Sequence, residues 1–205
     1  MRTPARPRPR TRPPEERRIE LMNAAQRLFL KQGVSSTTIE QITSGADVAK
    51  GTFYLYFSSR EDILGALGQR FAEHLLAGIK AAVAKTSEID WREKLATWAR
   101  AMAAGYIDSI QLHDVIFFGT RPSTREGREG LTNNIIIDHL AELLQDGVDA
   151  GAWSIDESQF TAVFLFSGIH GIVDDAYIRE KRLNRTRLMH RLEELCFRTV
   201  GLSSS

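Results

Sequence analysis

Cysteine and proline are scarce in this chain of 205 residues. The single cysteine, Cys196, excludes an intrachain disulfide, and because leucines and a phenylalanine surround it we interpret it as a packed helix position in a cytoplasmic protein. Beyond residue 14 the only proline is Pro122, so most of the chain is free to form helices. The longest apolar run, 160–173, is interrupted by serine, glycine and histidine, and it falls short of the roughly 20 residues that cross a bilayer. The sequence therefore predicts no membrane association.

Charge is nearly balanced over the whole chain but unevenly distributed along it. The formal net charge is +1, whereas residues 1–58 hold ten lysines or arginines against five acidic residues, which leaves −4 for the remainder. A positive N-terminal part on a negative remainder should approach a polyphosphate in one orientation.

The first fourteen residues contain five arginines, five prolines and no acidic residue. This composition cannot bury a core, so residues 1–14 are predicted to be a disordered arm. Two interpretations stay open: a tether that reaches phosphates or the minor groove, or a solvated tail without specific contacts.

Leucine, alanine and glutamate recur at helical spacing from about residue 15 onward, which predicts an all-α fold. The first helix carries Leu21, Ala25 and Leu28 on one face and should end at Gly33. Further helices are predicted at 58–85, 91–110, 114–118, from about 130 to 147 or 150, 157–182 and 184–200, with a polar break at 119–130.

Two short helices joined by a tight turn are predicted between residues 37 and 57. Thr37 and Glu40 have the spacing of a capping box, in which the Thr37 hydroxyl accepts from the Glu40 amide and the Glu40 carboxylate reaches back. The following small residues, 44–47, should turn the chain into the segment 48–57, where Phe53 and Phe57 share the inward face. This arrangement is a helix-turn-helix, whose second helix enters a groove of DNA.

The segment 17–65 resembles the tetracycline-repressor-like (TetR) family of transcriptional regulators. The resemblance is carried by Ala24-Ala25, Leu28-Phe29, Gly33, Thr37-Thr38-Ile39, Ile42, Val48, Lys50-Gly51-Thr52-Phe53-Tyr54-Leu55-Tyr56-Phe57 and Arg60-Glu61-Asp62-Ile63-Leu64. Asp47 departs from it, since the family usually has glycine there, but aspartate tolerates the left-handed conformation. The resemblance implies a three-helix DNA-binding domain at 15–60 and a helical ligand-binding and dimerisation domain at 61–205.

The resemblance also implies which residues touch DNA. Residues expected to contact DNA, mostly at phosphates, are Lys50, Thr52, Tyr54 and Tyr56. Residues expected to approach base edges or thymine methyl groups are Ala49, Gly51 and Leu55. Further contacts are expected from Thr38, Glu40 and Arg60. Lys50 has the alternative of a solvated surface lysine. For Glu40 the capping role is preferred to acceptance from a cytosine amino group.

The larger domain carries a dimer prediction and a pocket prediction. The dimer would use Leu188, Leu192, Leu195 and Thr199 on the last helix and Ser167, Gly168 and Gly171 on the one before, with an intramolecular core as the alternative. The pocket would be lined by Trp98, Met102, Tyr106, His113, Phe117, Phe118, His139 and Phe164, although such residues at helical spacing are more often plain core. No metal or cofactor is predicted, because His74, His113, His139 and His170 lie on separate helices without ligand spacing.

These features predict a homodimeric, ligand-responsive transcriptional regulator, more commonly a repressor than an activator in the resembled family. Its partners would be a double-stranded DNA operator and an unidentified small-molecule inducer. The two recognition helices of a dimer must lie about 34 Å apart to fit successive major grooves, and the inducer would shift the population of dimers to a different separation. A protein of the same fold without an effector remains an alternative. A helical enzyme is disfavoured, because no nucleophile–base pair or phosphate-binding glycine loop is found.

Overall fold

The computed structural model describes residues 13–118, 135–180 and 183–203. These residues form nine α-helices and no strand. The helices are α1 Pro14–Gln32, α2 Ile39–Gly45, α3 Lys50–Phe53, α4 Arg60–Val83, α5 Trp91–Asp108, α6 Ile110–Phe118, α7 Ile135–Asp149, α8 Ser158–Arg179 and α9 Arg185–Thr199. The all-α prediction is confirmed, whereas the arm up to residue 12 and the predicted break at 119–130 lie outside the described residues.

The chain divides into two compact units: Met1–Gln69 with Gln111–Arg121, and Arg70–Ile110 with Pro122–Ser205. The predicted division after residue 60 coincides with the start of α4, whereas the compact units part within that helix. The functional domain boundaries therefore stay a prediction.

The first unit is organised around α1. Leu21 and Ala25 of this helix are fully buried, as are Ile42 of α2 and Ile63 of α4. The helix ends as predicted at Gly33, whose φ of 82° favours glycine and whose N–H donates to the Phe29 carbonyl at 2.9 Å. This core fixes the short helices α2 and α3 against the long ones.

The second unit packs α5, α7, α8 and α9 around one apolar core. Fully buried residues from each helix meet there: Trp98, Leu140, Leu144, Ile169 and Leu192. Cys196 of α9 belongs to the same core, and burial raises the pKa of its thiol to about 12. Along the described part of the chain, no helix is long and apolar enough to span a bilayer.

A tryptophan that follows α7 packs against the last turns of this helix. Trp153 folds back so that its indole N–H donates to the Leu144 carbonyl at 2.9 Å. Its ring lies against Gly147, where an added Cβ would overlap the indole. Gly147 is therefore required by packing and not by backbone conformation.

Candidate nucleic-acid interface

The N-terminus of α2 is fixed by a capping box one residue later than predicted. The Thr38 hydroxyl accepts from the Gln41 N–H at 3.2 Å, and the Gln41 side-chain oxygen accepts from the Thr38 N–H at 2.9 Å. Thr37 is buried and donates its hydroxyl to the Gly33 carbonyl at 2.8 Å. The predicted box of Thr37 and Glu40 is therefore wrong, because the helix begins at Ile39 and its third residue is Gln41.

The turn between α2 and α3 contains a backbone conformation that few residues adopt. Asp47 has a φ of 53°, in the left-handed region. The turn is closed by the Val48 N–H, which donates to the Thr43 carbonyl at 3.0 Å. The expected left-handed aspartate is confirmed, and it directs the chain into α3.

The segment after the turn is less helical than predicted. Regular helix is confined to Lys50–Phe53, and hydrogen-bonded turns continue it, with the Phe57 N–H donating to the Phe53 carbonyl at 2.9 Å. Both phenylalanines are buried as predicted, with ring centroids 5.8 Å apart. Their burial fixes the orientation of the segment and leaves Tyr54 53% and Leu55 78% exposed.

The ten residues predicted to touch DNA lie within or beside α2 and α3 and at the start of α4. Exposed among them are Thr38, Glu40, Ala49, Lys50, Gly51, Tyr54 and Leu55, while Thr52, Tyr56 and Arg60 are half-buried. We call the exposed set together with Thr52 and Tyr56 the predicted DNA-contact surface. Its members are close in sequence and fold into one unit, and their contacts with DNA stay predictions.

An ion pair joins α2 to α3 within this surface. The Lys50 Nζ contacts the Glu40 Oε1, and both side chains are more than half exposed. The hydrogen bond from Lys50 lowers the pKa of the Glu40 carboxyl, and the same bond raises the pKa of Lys50. Because Gln41 takes the capping role, the preferred capping interpretation of Glu40 is wrong and its carboxylate is available to Lys50.

Arg60 has a structural task that the sequence did not indicate. Its Nη1 donates to the backbone carbonyls of residues 34, 35 and 37, at 3.3, 3.1 and 3.0 Å. These bonds tie the first residue of α4 to the loop that precedes α2. A phosphate contact by Arg60 stays a prediction, since much of its hydrogen-bonding capacity is used inside the protein.

Three of the predicted pocket residues, Trp98, Met102 and Tyr106, are buried on α5. The Trp98 indole N–H donates to the His139 Nδ1 at 3.1 Å, and burial followed by the charge of Lys80 lowers the pKa of His139. Trp98, Met102 and His139 therefore pack with the core of the second unit.

A polar cluster in the same unit was missed by the sequence. The Tyr106 hydroxyl donates to the Asp174 carboxylate, and the Tyr106 ring stacks on His170 with centroids 4.5 Å apart. The His170 Nδ1 also lies 3.5 Å from Asp174, one helical turn away. The i,i+4 spacing of His170 and Asp174 on α8 was the available signal.

The remaining predicted pocket residues lie on α6 and α8. His113 and Phe117 lie on α6, with ring centroids 4.7 Å apart and ring planes tilted by 31°. Phe164 is 55% exposed on α8, and its place in a ligand pocket stays a prediction. The side chain of Phe118 lies outside the described part of the chain.

The predicted dimer residues divide between core and surface. Leu188 and Leu192 are 6% and 1% exposed and pack into their own unit, which favours the alternative of an intramolecular core for these two residues, and their role in a dimer stays a prediction. Leu195 is half-buried. Ser167, Gly168 and Gly171 border an open groove of about 660 Å³ between α8 and α9.

The exposed apolar surface of this unit lies instead on α8. Phe160, Val163, Phe164, Ile172 and Ile178 are between 37% and 81% exposed. The opposite face of the same helix is buried through Ala162, Leu165, Ile169 and Val173. A helix that is apolar on both faces requires a second partner surface.

The described residues form helices and no strand, and the first unit contains two short helices, α2 and α3, joined by a tight turn, which is the arrangement of a helix-turn-helix. The family described as bacterial regulatory proteins, tetR family, matches residues 21–67, from α1 into α4. This match places the similarity to the family in the helix-turn-helix region of the first unit.

Curated relatives are transcription regulators. The activator FasR of Mycolicibacterium smegmatis is 32% identical over 102 residues, which cover 50% of this chain and 43% of FasR. The regulator HbdR of Aromatoleum sp. is 48% identical over 50 residues, which cover 24% of this chain and 22% of HbdR. The repressor KstR2 of Mycobacterium tuberculosis is 32% identical over 71 residues, covering 35% and 36%. The matched part thus spans less than half the length of each of these relatives.

Solved structures share the fold over nearly the whole chain. The fatty acid degradation regulator FadR of Bacillus halodurans has a TM-score of 0.75 at 22% identity, covering 96% of this chain and all of FadR. FadR of Bacillus subtilis, solved with stearoyl-CoA, has a TM-score of 0.72 at 20% identity, covering 91% and 99%. These similarities extend the fold assignment to the second unit.

Proposed function

We propose that the protein is a homodimeric repressor that binds an operator through the predicted DNA-contact surface and is released by a small molecule. The observation that carries the proposal is Gly51. A Cβ added there would meet no atom of the protein within 4 Å, and its φ lies outside the left-handed region. Glycine in a helix costs about 1 kcal/mol relative to alanine, so its presence at an open position supports close approach of an external partner.

Neighbouring residues suit a DNA groove. Leu55 projects an apolar side chain for thymine methyl groups, and Tyr54 and Lys50 offer donors to phosphate or base edges. Leu55 is 78% exposed in the DNA-free protein, so its side chain is accessible to a partner. Burial of Phe53 and Phe57 holds these groups in fixed orientation before DNA arrives.

The first experiment separates stability from DNA binding at Gly51. Gly51→Ala should leave the unfolding free energy unchanged or raise it by up to about 1 kcal/mol, while operator affinity falls at least several-fold. Gly78→Ala is the matched control, because Gly78 is also an exposed helical glycine with no atom within 4 Å of an added Cβ. The operator is obtained by selecting random-sequence duplexes on the wild-type protein. Full operator affinity of Gly51→Ala would contradict the proposed contact.

We propose α8 as the centre of the dimer interface. Phe160 and Phe164 expose most of their rings on its outer face, and Ser167 and Gly171 lie on the same face with small side chains that permit close helix approach. Two DNA-contact surfaces joined in this way would read two half-sites about 34 Å apart.

The effector is proposed to bind in the second unit. The Tyr106, Asp174 and His170 cluster supplies polar groups beside an apolar core, with the side chains of Asp174 and His170 each 27% exposed, which suits a ligand with an apolar body and a polar group. Because FadR of Bacillus subtilis was solved with stearoyl-CoA, long-chain acyl-CoA is the first class to test. Stearoyl-CoA should release the operator and free coenzyme A should not, and operator should weaken ligand affinity by the same factor.

A reporter gene placed behind the selected operator tests the direction of regulation. Repression should be relieved by a compound that releases DNA in vitro. Activation of the reporter would instead favour the mode named for FasR. Failure of every ligand to alter DNA binding would favour a regulator without a small-molecule effector.

A further inference from the structure

The ion pair between Glu40 and Lys50 lies within the predicted DNA-contact surface and engages the lysine of that surface. Lys50 Nζ is held by Glu40 Oε1, so in the DNA-free protein this ammonium already has an anionic partner. The two residues belong to different helices that pack together in the first unit, and neither side chain is needed for the capping box. The pair is therefore available for a role in recognition.

We propose that Glu40 is a specificity-determining residue that competes with DNA phosphate for Lys50. The inference rests on the proposed operator binding and adds a distinction between operator and arbitrary DNA. On arbitrary DNA, a phosphate that takes Lys50 leaves the Glu40 carboxylate without its ammonium partner beside a polyanion. On the operator, a base-edge donor such as the cytosine amino group replaces Lys50 as the partner of Glu40.

The strength of the competition follows from exposure. Side-chain exposures of 56% for Lys50 and 61% for Glu40 place the pair among solvent-screened ion pairs. Exposed pairs correspond to an equilibrium factor of roughly 1.5 to 5, so this is the expected loss of affinity for arbitrary DNA at each bound subunit. The lowered pKa of Glu40 keeps it charged at neutral pH, so the competition operates under ordinary conditions.

The test compares single and double variants on two duplexes of equal length, the selected operator and a random sequence. Glu40→Gln keeps the shape of the side chain and removes its charge. Glu16→Gln is the matched control, since it removes the same charge from an exposed position in the first turn of α1. Lys50→Ala, alone and combined with Glu40→Gln, completes a double-mutant cycle.

Glu40→Gln should bind the random duplex roughly 1.5 to 5 times more tightly per subunit than Glu16→Gln does, with operator affinity unchanged or reduced. The preference for operator therefore falls. In the Lys50→Ala background, Glu40→Gln should add no more than Glu16→Gln. Circular dichroism and the oligomeric state should match the wild type, because Glu40 and Glu16 are exposed.

Two results would overturn the inference. One is an equal effect of Glu40→Gln and Glu16→Gln on both duplexes. The other is an effect of Glu40→Gln that persists without Lys50, which would show general repulsion of DNA. A wild-type protein that binds no duplex would overturn the proposed function itself, and the specificity role of Glu40 with it.

Discussion

The α8 face makes the strongest quantitative prediction. Phe160 and Phe164 are 70% and 55% exposed in one chain. At about 200 Å² for each buried aromatic side chain, the two rings leave roughly 250 Å² uncovered. At about 25 cal/mol per Å², covering this area contributes roughly 6 kcal/mol per chain and 12 kcal/mol per symmetric dimer. Association costs offset part of that gain, but recovery of one third would still change the dissociation constant about a thousandfold.

The double variant Phe160→Ser and Phe164→Ser should therefore be monomeric at micromolar concentration, where we expect the wild type to be a dimer. Sedimentation velocity measures the change, and circular dichroism should show unchanged helix content because neither ring contributes to the monomer core. Ile89→Ser is the control, since Ile89 is 87% exposed but lies outside α8. A double variant that stays dimeric, or a control that dissociates equally, would refute α8 as the interface.

Three further predictions concern stability. Gly147→Ala should destabilise the protein by about 1 to 3 kcal/mol, because the new Cβ overlaps Trp153, whereas Gly78→Ala should stabilise it slightly; urea midpoints measure both. Arg60→Ala should lower the free energy of unfolding by about 1 to 3 kcal/mol, because three backbone carbonyls lose their hydrogen-bond donor. An unchanged urea midpoint would leave only the phosphate role for Arg60. Because the folded pKa of His139 lies below 6.5, the unfolded chain binds more protons there, so unfolding free energy should fall as pH drops below about 6.5; His139→Asn should flatten that dependence.

The helix-turn-helix was predictable because its constraints are local. The spacing of Phe53 and Phe57 identified the buried face, and Asp47 was recognisable as the turn residue. The capping register was not, because Thr37 and Thr38 are each followed three residues later by a side chain that can cap. Only burial of Thr37 decides between them, and burial depends on how α2 packs against α1.

The second unit was less predictable for the opposite reason. Trp98 and Phe164 are both aromatic residues on amphipathic or apolar helices, yet one is fully buried and the other half-exposed. Apolar residues on both faces of α8 do not reveal which face meets the core. The contact between Tyr106 and Asp174 joins positions far apart in sequence, and no local pattern indicates it.

The buried thiol of Cys196 gives an experimental advantage. With its pKa raised to about 12, it carries almost no thiolate at neutral pH and should resist maleimide reagents while the protein is folded. A cysteine introduced at Leu55, which is 78% exposed, would then be labelled selectively without removal of the native one. Spin labels at the two copies of that position would report the separation of the recognition segments in the dimer, with and without a candidate effector.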